Sequence, residues 1–101
     1  MSSHHQQFYV DGAWVDPKAS SKLDVINPAT ELAYTRISLG NAADVDRAVA
    51  AAKAAFPSFA RTDRDGRLAV LNRILEIYNR RYNEIAEAVS DEMGAPLMTE
   101  V

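Results

Sequence analysis

A long helical pattern in the second half of the chain limits what these residues can fold into by themselves. Between residues 64 and 91, apolar side chains recur at steps of three, four and seven, which predicts a single amphipathic helix. That helix would extend roughly 42 Å at about 1.5 Å per residue. A compact domain of this chain length is only roughly 33 Å across. We therefore expect the helix either to kink or, as we favour, to pack its apolar stripe on surface that this chain does not supply.

The apolar stripe and its boundaries follow from ordinary helix signals. The stripe comprises Leu68, Leu71, Leu75, Tyr78, Tyr82, Ile85 and Val89. Thr62 and Asp65 resemble a capping box at the start of the helix, and Gly94 with the proline two residues later ends it. A further element begins at residues 96–98, just before the sequence stops. We expect the chain to be a piece of a larger protein.

Composition excludes several classes of protein and partner. With 48% hydrophobic and 25% charged residues, the chain has the composition of an ordinary folded protein rather than a disordered one. With a net charge of −3, the chain lacks the excess of basic side chains with which proteins bind the phosphates of DNA or RNA. No apolar run reaches the ~20 residues needed to span a membrane. We therefore expect neither nucleic-acid nor membrane partners.

The sequence contains no motif that would carry catalysis or bind a cofactor. The absence of cysteine excludes disulfides, thiolate metal sites and a thiol nucleophile within these residues. The four glycines are too far apart for a loop that cradles phosphates. Both histidines, His4 and His5, lie in the polar segment 1–7, which we predict to be a flexible terminus and a poor metal site. We therefore predict no catalytic and no cofactor-binding residue in this chain.

The first hairpin is predicted from its turn. Asp11-Gly12 lies between two β-prone runs and indicates a type I′ turn, which pairs residues 8–10 with residues 13–15. Both faces of this hairpin would be largely apolar. An isolated hairpin is marginally stable in water, so we expect this one to lie against another element.

Two more extended runs and a helix complete the predicted first half. Residues 23–26 and 32–37 flank an Asn-Pro turn and are typical of short strands. Asn41 is a suitable N-cap for a helix with a stripe of small residues, which Pro57 should end. The predicted fold class is α+β, with N-terminal β-hairpins followed by two helices.

Glu92 has one feature that points to a ligand. A carboxylate near the C-terminal end of a helix opposes the helix dipole. A bound cation removes that conflict, since helix-end carbonyls and a carboxylate are both hard oxygen ligands. The alternative interpretation, a tolerated surface charge, is the more common case and stays open.

Five short motifs occur in a fixed order along the chain. They are Phe-Tyr-Val-Asp-Gly-Ala-Trp-Val at 8–15, Asp-Val-Ile-Asn-Pro-Ala-Thr-Glu at 24–31, Asp-Val-Asp-Arg-Ala-Val-Ala-Ala-Ala at 44–52, Arg-Leu-Ala-Val-Leu at 67–71 and Glu-Met-Gly-Ala-Pro-Leu at 92–97. Each motif is weak by itself. In this order and spacing they resemble the beginning of an NAD(P)-dependent aldehyde dehydrogenase, and the last one resembles bacterial members of that family.

The resemblance implies an oxidoreductase that converts an aldehyde to a carboxylic acid. In the family a cysteine thiolate attacks the aldehyde, the adduct gives hydride to NAD(P)+, and a glutamate-activated water releases the acid. These groups and the nucleotide-binding strands lie outside the matched part. This chain alone should therefore be inactive and should bind neither NAD nor NADP.

The resemblance also implies a position for the chain in an intact protein. Residues 8–101 correspond to an incomplete N-terminal portion of the cofactor-binding region, within an α/β fold. The remainder of the polypeptide is then the partner that covers the long helix. The intact enzyme is expected to be a cytoplasmic homo-oligomer.

One metal site follows from the resemblance. Some family members hold a sodium or potassium ion between backbone oxygens before the Asn-Pro turn and an acidic side chain before the Gly-x-Pro sequence. Those positions correspond to Val25, Ile26 and Glu92. Val25 has no hydroxyl to contribute, and several members have aspartate where this chain has Glu92. A weak monovalent cation site is therefore predicted.

Two other functions compete with the dehydrogenase interpretation. The chain could be a non-enzymatic helix-hairpin module whose exposed stripe binds another protein, or a small cation-binding domain. Continuation of the reading frame toward a cysteine in a glycine-rich segment would favour the dehydrogenase, whereas a stop codon after Val101 would favour the interaction module.

Overall fold

In the computed structural model, residues 4–19 and 21–97 are described as four short strands followed by three helices. The elements are β1 (Phe8–Val10), β2 (Ala13–Val15), β3 (Lys22–Asn27), β4 (Leu32–Ser38), α1 (Ala42–Ala60), α2 (Arg64–Arg80) and α3 (Tyr82–Met93). β1 pairs with β2, and β3 pairs with β4. The predicted class of hairpins followed by helices is confirmed, with one of the two predicted helices divided in two.

The described residues form two compact units. The first contains the described residues up to Ile26 together with Ala33–Ala60, and therefore the β1–β2 hairpin and α1. The second contains Asn27–Leu32 and the described residues from Arg61 onward, and therefore α2 and α3. The element predicted from residues 96–98 includes Met98, which lies outside the described residues. The predicted flexibility of residues 1–7 stays a prediction, and residues 1–3 lie outside the described chain.

The β1–β2 hairpin has the predicted register. Its pairs are Phe8 with Val15, Tyr9 with Trp14 and Val10 with Ala13. The φ angles of Asp11 and Gly12 are 54° and 75°, and positive φ at both central residues is what a type I′ turn requires. α1 packs against β1, which supplies the support that the apolar hairpin needs.

Asp44 fixes the beginning of α1. Its backbone N–H donates to Asn41 Oδ1 over 3.1 Å, and its Oδ2 accepts from the Asn41 N–H over 3.1 Å, so the two residues cap the helix reciprocally. Asp44 Oδ1 also accepts from the Lys18 N–H over 2.8 Å, which ties the loop after β2 to the helix. At 5% exposure the Asp44 carboxylate is among the few buried groups of the described chain.

The surroundings of Asp44 make its ionised form the stable one. The hydrogen bond from the Lys18 N–H is the largest cause that lowers the pKa of Asp44 from its usual 3.8, while burial acts in the opposite direction. Because folding lowers this pKa, the carboxylate stabilises the folded unit above pH 3.8. That contribution is lost as the pH falls through the lowered value.

Pro57 does not end α1, contrary to the prediction. The helix continues through Pro57 to Ala60. Proline has no N–H for the carbonyl four residues earlier, and its ring crowds that carbonyl, so it weakens the helix locally, and α1 extends only three residues beyond Pro57. The Ser58 hydroxyl donates to the Ala55 carbonyl over 3.2 Å and satisfies one of the acceptors near this end.

The helix predicted over residues 64–91 is interrupted at Arg81, which separates α2 from α3. Arg81 has φ −104° and ψ 15°, and its N–H is shared between the carbonyls of Ile77 and Tyr78 at 3.0 and 3.1 Å. The Ile85 N–H still donates to the Arg81 carbonyl over 3.1 Å, so hydrogen bonding continues across the break. The kink, which we considered the less favoured alternative, is therefore present.

The N-cap of α2 is Asp63 and not Thr62. The Asp63 side chain accepts from the Gly66 N–H over 2.8 Å, at the N3 position. A carboxylate is as good an N-cap as a hydroxyl and also complements the helix dipole. The start of the helix is therefore one residue later than the predicted capping box.

No hydrophobic side chain is buried among the described residues. The α2 side chains Leu71, Ile74 and Leu75 are 60%, 57% and 56% exposed. Phe56 in α1 is 67% exposed. Burial of such side chains is the main force that folds a domain, so these faces are unpartnered within the described chain.

Candidate functional site

Glu92 lies in the last turn of α3, where the prediction placed it. The last turn of this helix contains no basic residue, and among the described residues no hydrogen bond or ion pair involves the Glu92 carboxylate. Glu92 is exposed. The negative end of the helix dipole and the carboxylate therefore reinforce each other, and together they attract a cation.

The end of α3 depends on Gly94. The residue adopts φ 72°, in the left-handed region, and its N–H donates to the Ser90 carbonyl over 2.9 Å. This is the usual way in which a glycine ends a helix. The orientation of the chain just after Glu92 is thereby fixed.

The Asn-Pro turn of the second unit is built by its own side chains. Asn27 Oδ1 accepts from the Ala29 N–H over 2.9 Å, and the Glu31 N–H donates to the Asn27 carbonyl over 2.8 Å. Glu31 has φ 61°, and the Thr30 hydroxyl accepts from the Leu32 N–H over 3.3 Å. Local asparagine and threonine hydrogen bonds of this kind make a turn rigid without help from a core.

The turn and the end of α3 meet at Pro28. A Cβ atom added to Gly94 would lie 3.0 Å from Pro28 Cγ, which is closer than ordinary van der Waals contact. Only glycine allows this approach without adjustment of the neighbouring ring. The second unit therefore brings the Asn-Pro turn next to the helix end that carries Glu92.

The other two predicted cation ligands, Val25 and Ile26, lie in β3 within the first unit. Val25 is half-buried, Ile26 is 48% exposed, and Ile26 is covalently followed by the Asn-Pro turn. Backbone carbonyls and the Glu92 carboxylate are oxygen donors that suit a sodium or potassium ion. Within the described residues, no group of three or more His, Cys, Asp or Glu could hold a metal ion. Glu92 lies in the second unit and Val25 and Ile26 lie in the first, so a site shared by the three residues stays a prediction.

The four glycines of the chain do not share one loop. The four glycines occupy the β1–β2 turn, the loop before α1, the first turn of α2 and the end of α3. Gly66 is a local requirement of α2, because a Cβ there would lie 2.7 Å from Thr62 Cγ2. None of these positions opens a loop of backbone N–H groups on which a pyrophosphate could sit.

Sequence reasoning missed two features of these units. One is the contact between Pro28 and Gly94, which the Gly-x-Pro spacing alone does not reveal. The other is the contact of Asp44 with Lys18, since the two residues are 26 positions apart. The spacing of Asn41 and Asp44 indicates the capping hydrogen bond between them. Nothing in that spacing indicates that Asp44 also binds the loop at Lys18.

Among the described residues, none of the three helices combines the length and the hydropathy that a membrane span requires.

The sequence model of the aldehyde dehydrogenase family matches residues 14–100. A 3-succinoylsemialdehyde-pyridine dehydrogenase from a Pseudomonas species is 46% identical over 94 residues, which cover 93% of this chain and 20% of that protein. The chain thus spans about one fifth of the length of the curated relatives it matches.

Solved structures of high similarity come from the same family. A variant of aldehyde dehydrogenase C from Pseudomonas syringae, in complex with NAD+ and octanal, is 46% identical with a TM-score of 0.91 over 93% of this chain and 19% of that one. An aldehyde dehydrogenase from Bartonella henselae is 44% identical with a TM-score of 0.89 over 91% of this chain and 19% of that one. PnpE in complex with nicotinamide adenine dinucleotide is 36% identical with a TM-score of 0.85, over 92% and 19%.

Proposed function

This chain belongs to the aldehyde dehydrogenase family, and from that membership we propose that it forms the amino-terminal part of an enzyme that oxidises an aldehyde to a carboxylic acid with NAD(P)+. The observation that carries the proposal is its likeness to about one fifth of several aldehyde dehydrogenases, at 44% and 46% identity in two solved structures. The function of the segment is structural: it supplies hairpins and helices that pack on the rest of the enzyme.

The same proposal makes the isolated chain inactive. The family chemistry needs a cysteine thiolate, and the sequence contains no cysteine. The chain alone is also proposed to bind no dinucleotide, because its four glycines do not share one loop. The exposed apolar faces of α2 and α3 favour a structural role, because an apolar helix face is stable when another surface covers it.

Fragment complementation tests this function. We would express aldehyde dehydrogenase C of Pseudomonas syringae without the segment that this chain matches, together with the chain as a separate polypeptide. NADH formation from octanal and NAD+ should be restored well above that of the truncated enzyme alone, because the chain replaces the missing structural segment. Absorbance of NADH measures the result.

Two controls accompany the complementation. The chain alone should form no NADH, and turnover by the purified chain would contradict the argument from its missing nucleophile. Binding of the chain to the truncated enzyme without any recovery of activity would favour the non-enzymatic interaction module instead. The same pair of polypeptides therefore separates the two functions.

The finer properties of the intact enzyme are part of the proposal. Two similar structures contain a nicotinamide dinucleotide, which supports NAD as the cofactor of the intact protein and leaves NADP as the alternative. A cytoplasmic location and a homo-oligomeric state are proposed from family membership. The rest of the polypeptide is the proposed partner of the exposed helix faces.

A sodium or potassium site at Glu92, with the carbonyls of Val25 and Ile26, is also proposed. It is supported by the uncompensated carboxylate at the end of α3 and by the rigid Asn-Pro turn that follows Ile26. Because the donors present do not complete a shell, binding by the isolated chain should be weak. In a crystal grown at high sodium concentration, an ion at Glu92 should show oxygen contacts shorter than the hydrogen bonds of a water molecule, because sodium–oxygen distances are shorter than O–H···O distances. Contacts of water length alone would contradict the site.

A further inference from the structure

The dipeptide Asp-Gly occurs twice in the chain, in two different settings. Asp11-Gly12 forms the turn of the β1–β2 hairpin, and Asp65-Gly66 lies in the first turn of α2. An aspartyl side chain reacts most readily with the backbone when the next residue is glycine, because glycine has no Cβ to shield its own nitrogen. The two copies share this reactivity, so any difference between them comes from their surroundings.

The reaction joins the aspartyl side chain to the backbone nitrogen of the next residue. The nitrogen attacks Cγ of the protonated carboxyl group, an N–C bond forms, and the carboxyl hydroxyl leaves as water with the amide hydrogen. Water then opens the cyclic imide at one of its two carbonyls. Opening at the side-chain carbonyl restores aspartate, whereas opening at the backbone carbonyl gives isoaspartate, in which the main chain runs through the former side chain. No oxidant or cofactor is consumed.

The reacting groups at the hairpin turn are accessible. Asp11 and Gly12 are both exposed, and no atom lies within 4 Å of a Cβ added to Gly12. Within the part of the chain that the structure describes, neither the Gly12 N–H nor the Asp11 carboxylate makes a hydrogen bond or an ion pair. The two groups can therefore meet without first breaking a contact with the protein.

The conformation of Asp11 also favours opening of the turn. Its φ of 54° lies in the left-handed region, which is strained for a residue with a Cβ. When the turn opens, Asp11 leaves this strained conformation. The opening disturbs a hairpin of only three residue pairs, and hairpins of this size are marginally stable. The turn can therefore reach the geometry of attack without the loss of a larger element.

The corresponding groups at the beginning of α2 are held in place. The Gly66 N–H donates to Asp63 Oδ1 over 2.8 Å, so the nitrogen takes part in the N-cap of the helix. The Arg67 N–H donates to the Asp63 carbonyl over 3.1 Å. Gly66 is half-buried, and a Cβ there would lie 2.7 Å from Thr62 Cγ2. Attack by the Gly66 nitrogen on Asp65 must therefore break the cap of α2 and move a crowded residue.

We propose that Asp11 is a site of spontaneous isoaspartate formation, and that the fold directs this reaction to Asp11 and protects Asp65. The difference in rate follows from the capping hydrogen bond. A hydrogen bond to a charged group is strong enough to slow the attack by the Gly66 nitrogen about 10- to 100-fold. The exposed turn at Gly12 has no such bond to break.

The modification should change the hairpin as well as its turn. Isoaspartate adds one carbon to the backbone, whereas a type I′ turn joins its strands through two residues of ordinary length. The pairing of residues 8–10 with residues 13–15 should then lose its register. The backbone hydrogens of residues 8–15 should therefore exchange faster in the modified chain than in the unmodified one.

Incubation of the full chain at pH 6 and 37 °C, followed by peptide mapping, tests the proposal. A lysine-specific protease separates the two dipeptides, because cleavage after Lys18 and Lys53 releases residues 1–18 and 54–101. Fragment ions that distinguish isoaspartate from aspartate then give the rate at each site. Isoaspartate should accumulate about 10- to 100-fold faster at Asp11 than at Asp65. In concentrated urea the two rates should converge, since the surroundings that distinguish the sites are lost.

Asp63→Ala tests the protection of the second dipeptide directly. It removes the acceptor of the Gly66 N–H, so the rate at Asp65 should rise while the rate at Asp11 stays unchanged. Asp91→Ala removes an exposed carboxylate from α3 instead, and as the matched control it should change neither rate. Equal rates at the two sites of the folded chain would overturn the proposal. A ratio of rates that is the same in urea would also overturn it, because neighbouring sequence and not the fold would then direct the reaction.

Discussion

Replacement of Gly94 by alanine should destabilise the second unit by about 2–4 kcal/mol. Two costs combine at this position. The residue adopts φ 72°, where an L-residue other than glycine is strained by about 1–2 kcal/mol. The new Cβ would also lie 3.0 Å from Pro28 Cγ, so either the turn or the end of α3 must move. Urea unfolding of the full chain, followed by far-UV circular dichroism, measures the loss.

Gly12 is the matched control for this substitution. It has φ 75°, almost the same conformation as Gly94, but no atom lies within 4 Å of the added Cβ. Gly12→Ala should therefore cost only the conformational part, about 1–2 kcal/mol. Pro28→Ala combined with Gly94→Ala should recover the difference. Equal losses for the two glycines would show that the contact with Pro28 carries no energy.

The elements that were predicted correctly are those specified by local chemistry. The register of β1 and β2 follows from Asp11-Gly12, because both residues tolerate the positive φ that a type I′ turn needs. The second pair of strands was predicted within one residue at each end, since the Asn-Pro turn and the β-branched runs mark it. The N-cap at Asn41 is also specified locally, because its hydrogen-bond partner Asp44 is only three residues away.

The features that were not predicted are helix boundaries, where neighbouring residues could each begin, end or interrupt the helix. Thr62 and Asp63 can both cap a helix, and only the backbone geometry selects Asp63. Pro57 was predicted to end α1, but the helix extends three residues beyond it, because a proline blocks bonding only to the preceding turn and does not stop the residues after it from being helical. Helix kinks usually occur at a proline or a glycine, and neither is next to Arg81. Nothing in the sequence therefore identifies Arg81 as the position of the break.

The break at Arg81 is stabilised by neighbouring side chains. Arg81 Nε donates to Glu84 Oε2 over 2.8 Å, and this contact is the main cause that lowers the pKa of Glu84. Tyr78 and Tyr82 pack edge to face across the break, with centroids 6.0 Å apart. The apolar stripe therefore continues from α2 into α3. A kinked helix with an unbroken apolar face still needs a surface to cover it, so the kink does not remove the reason for a partner.

Charged side chains on the apolar stripe of α2 should strongly weaken its binding to other surfaces. Leu71→Asp combined with Leu75→Asp should weaken every association made by the face about 10²–10⁴-fold, because burial of each leucine contributes about 1.5–3 kcal/mol. Both side chains are more than half exposed in the chain, so the free energy of unfolding should change little. We expect self-association of the isolated chain to fall and complementation of the truncated dehydrogenase to be lost. Sedimentation equilibrium and NADH formation measure the two effects.

Asn72→Asp combined with Asn79→Asp is the matched control, since it adds the same two charges to exposed positions of α2 beside the stripe. The control should associate and complement like the unchanged chain, so that any difference reports apolar contact and not charge. Equal loss in both double variants would attribute the effect to charge alone. A monodisperse monomer at every concentration measured, found for the unchanged chain, would contradict the premise that α2 and α3 need another surface to cover them.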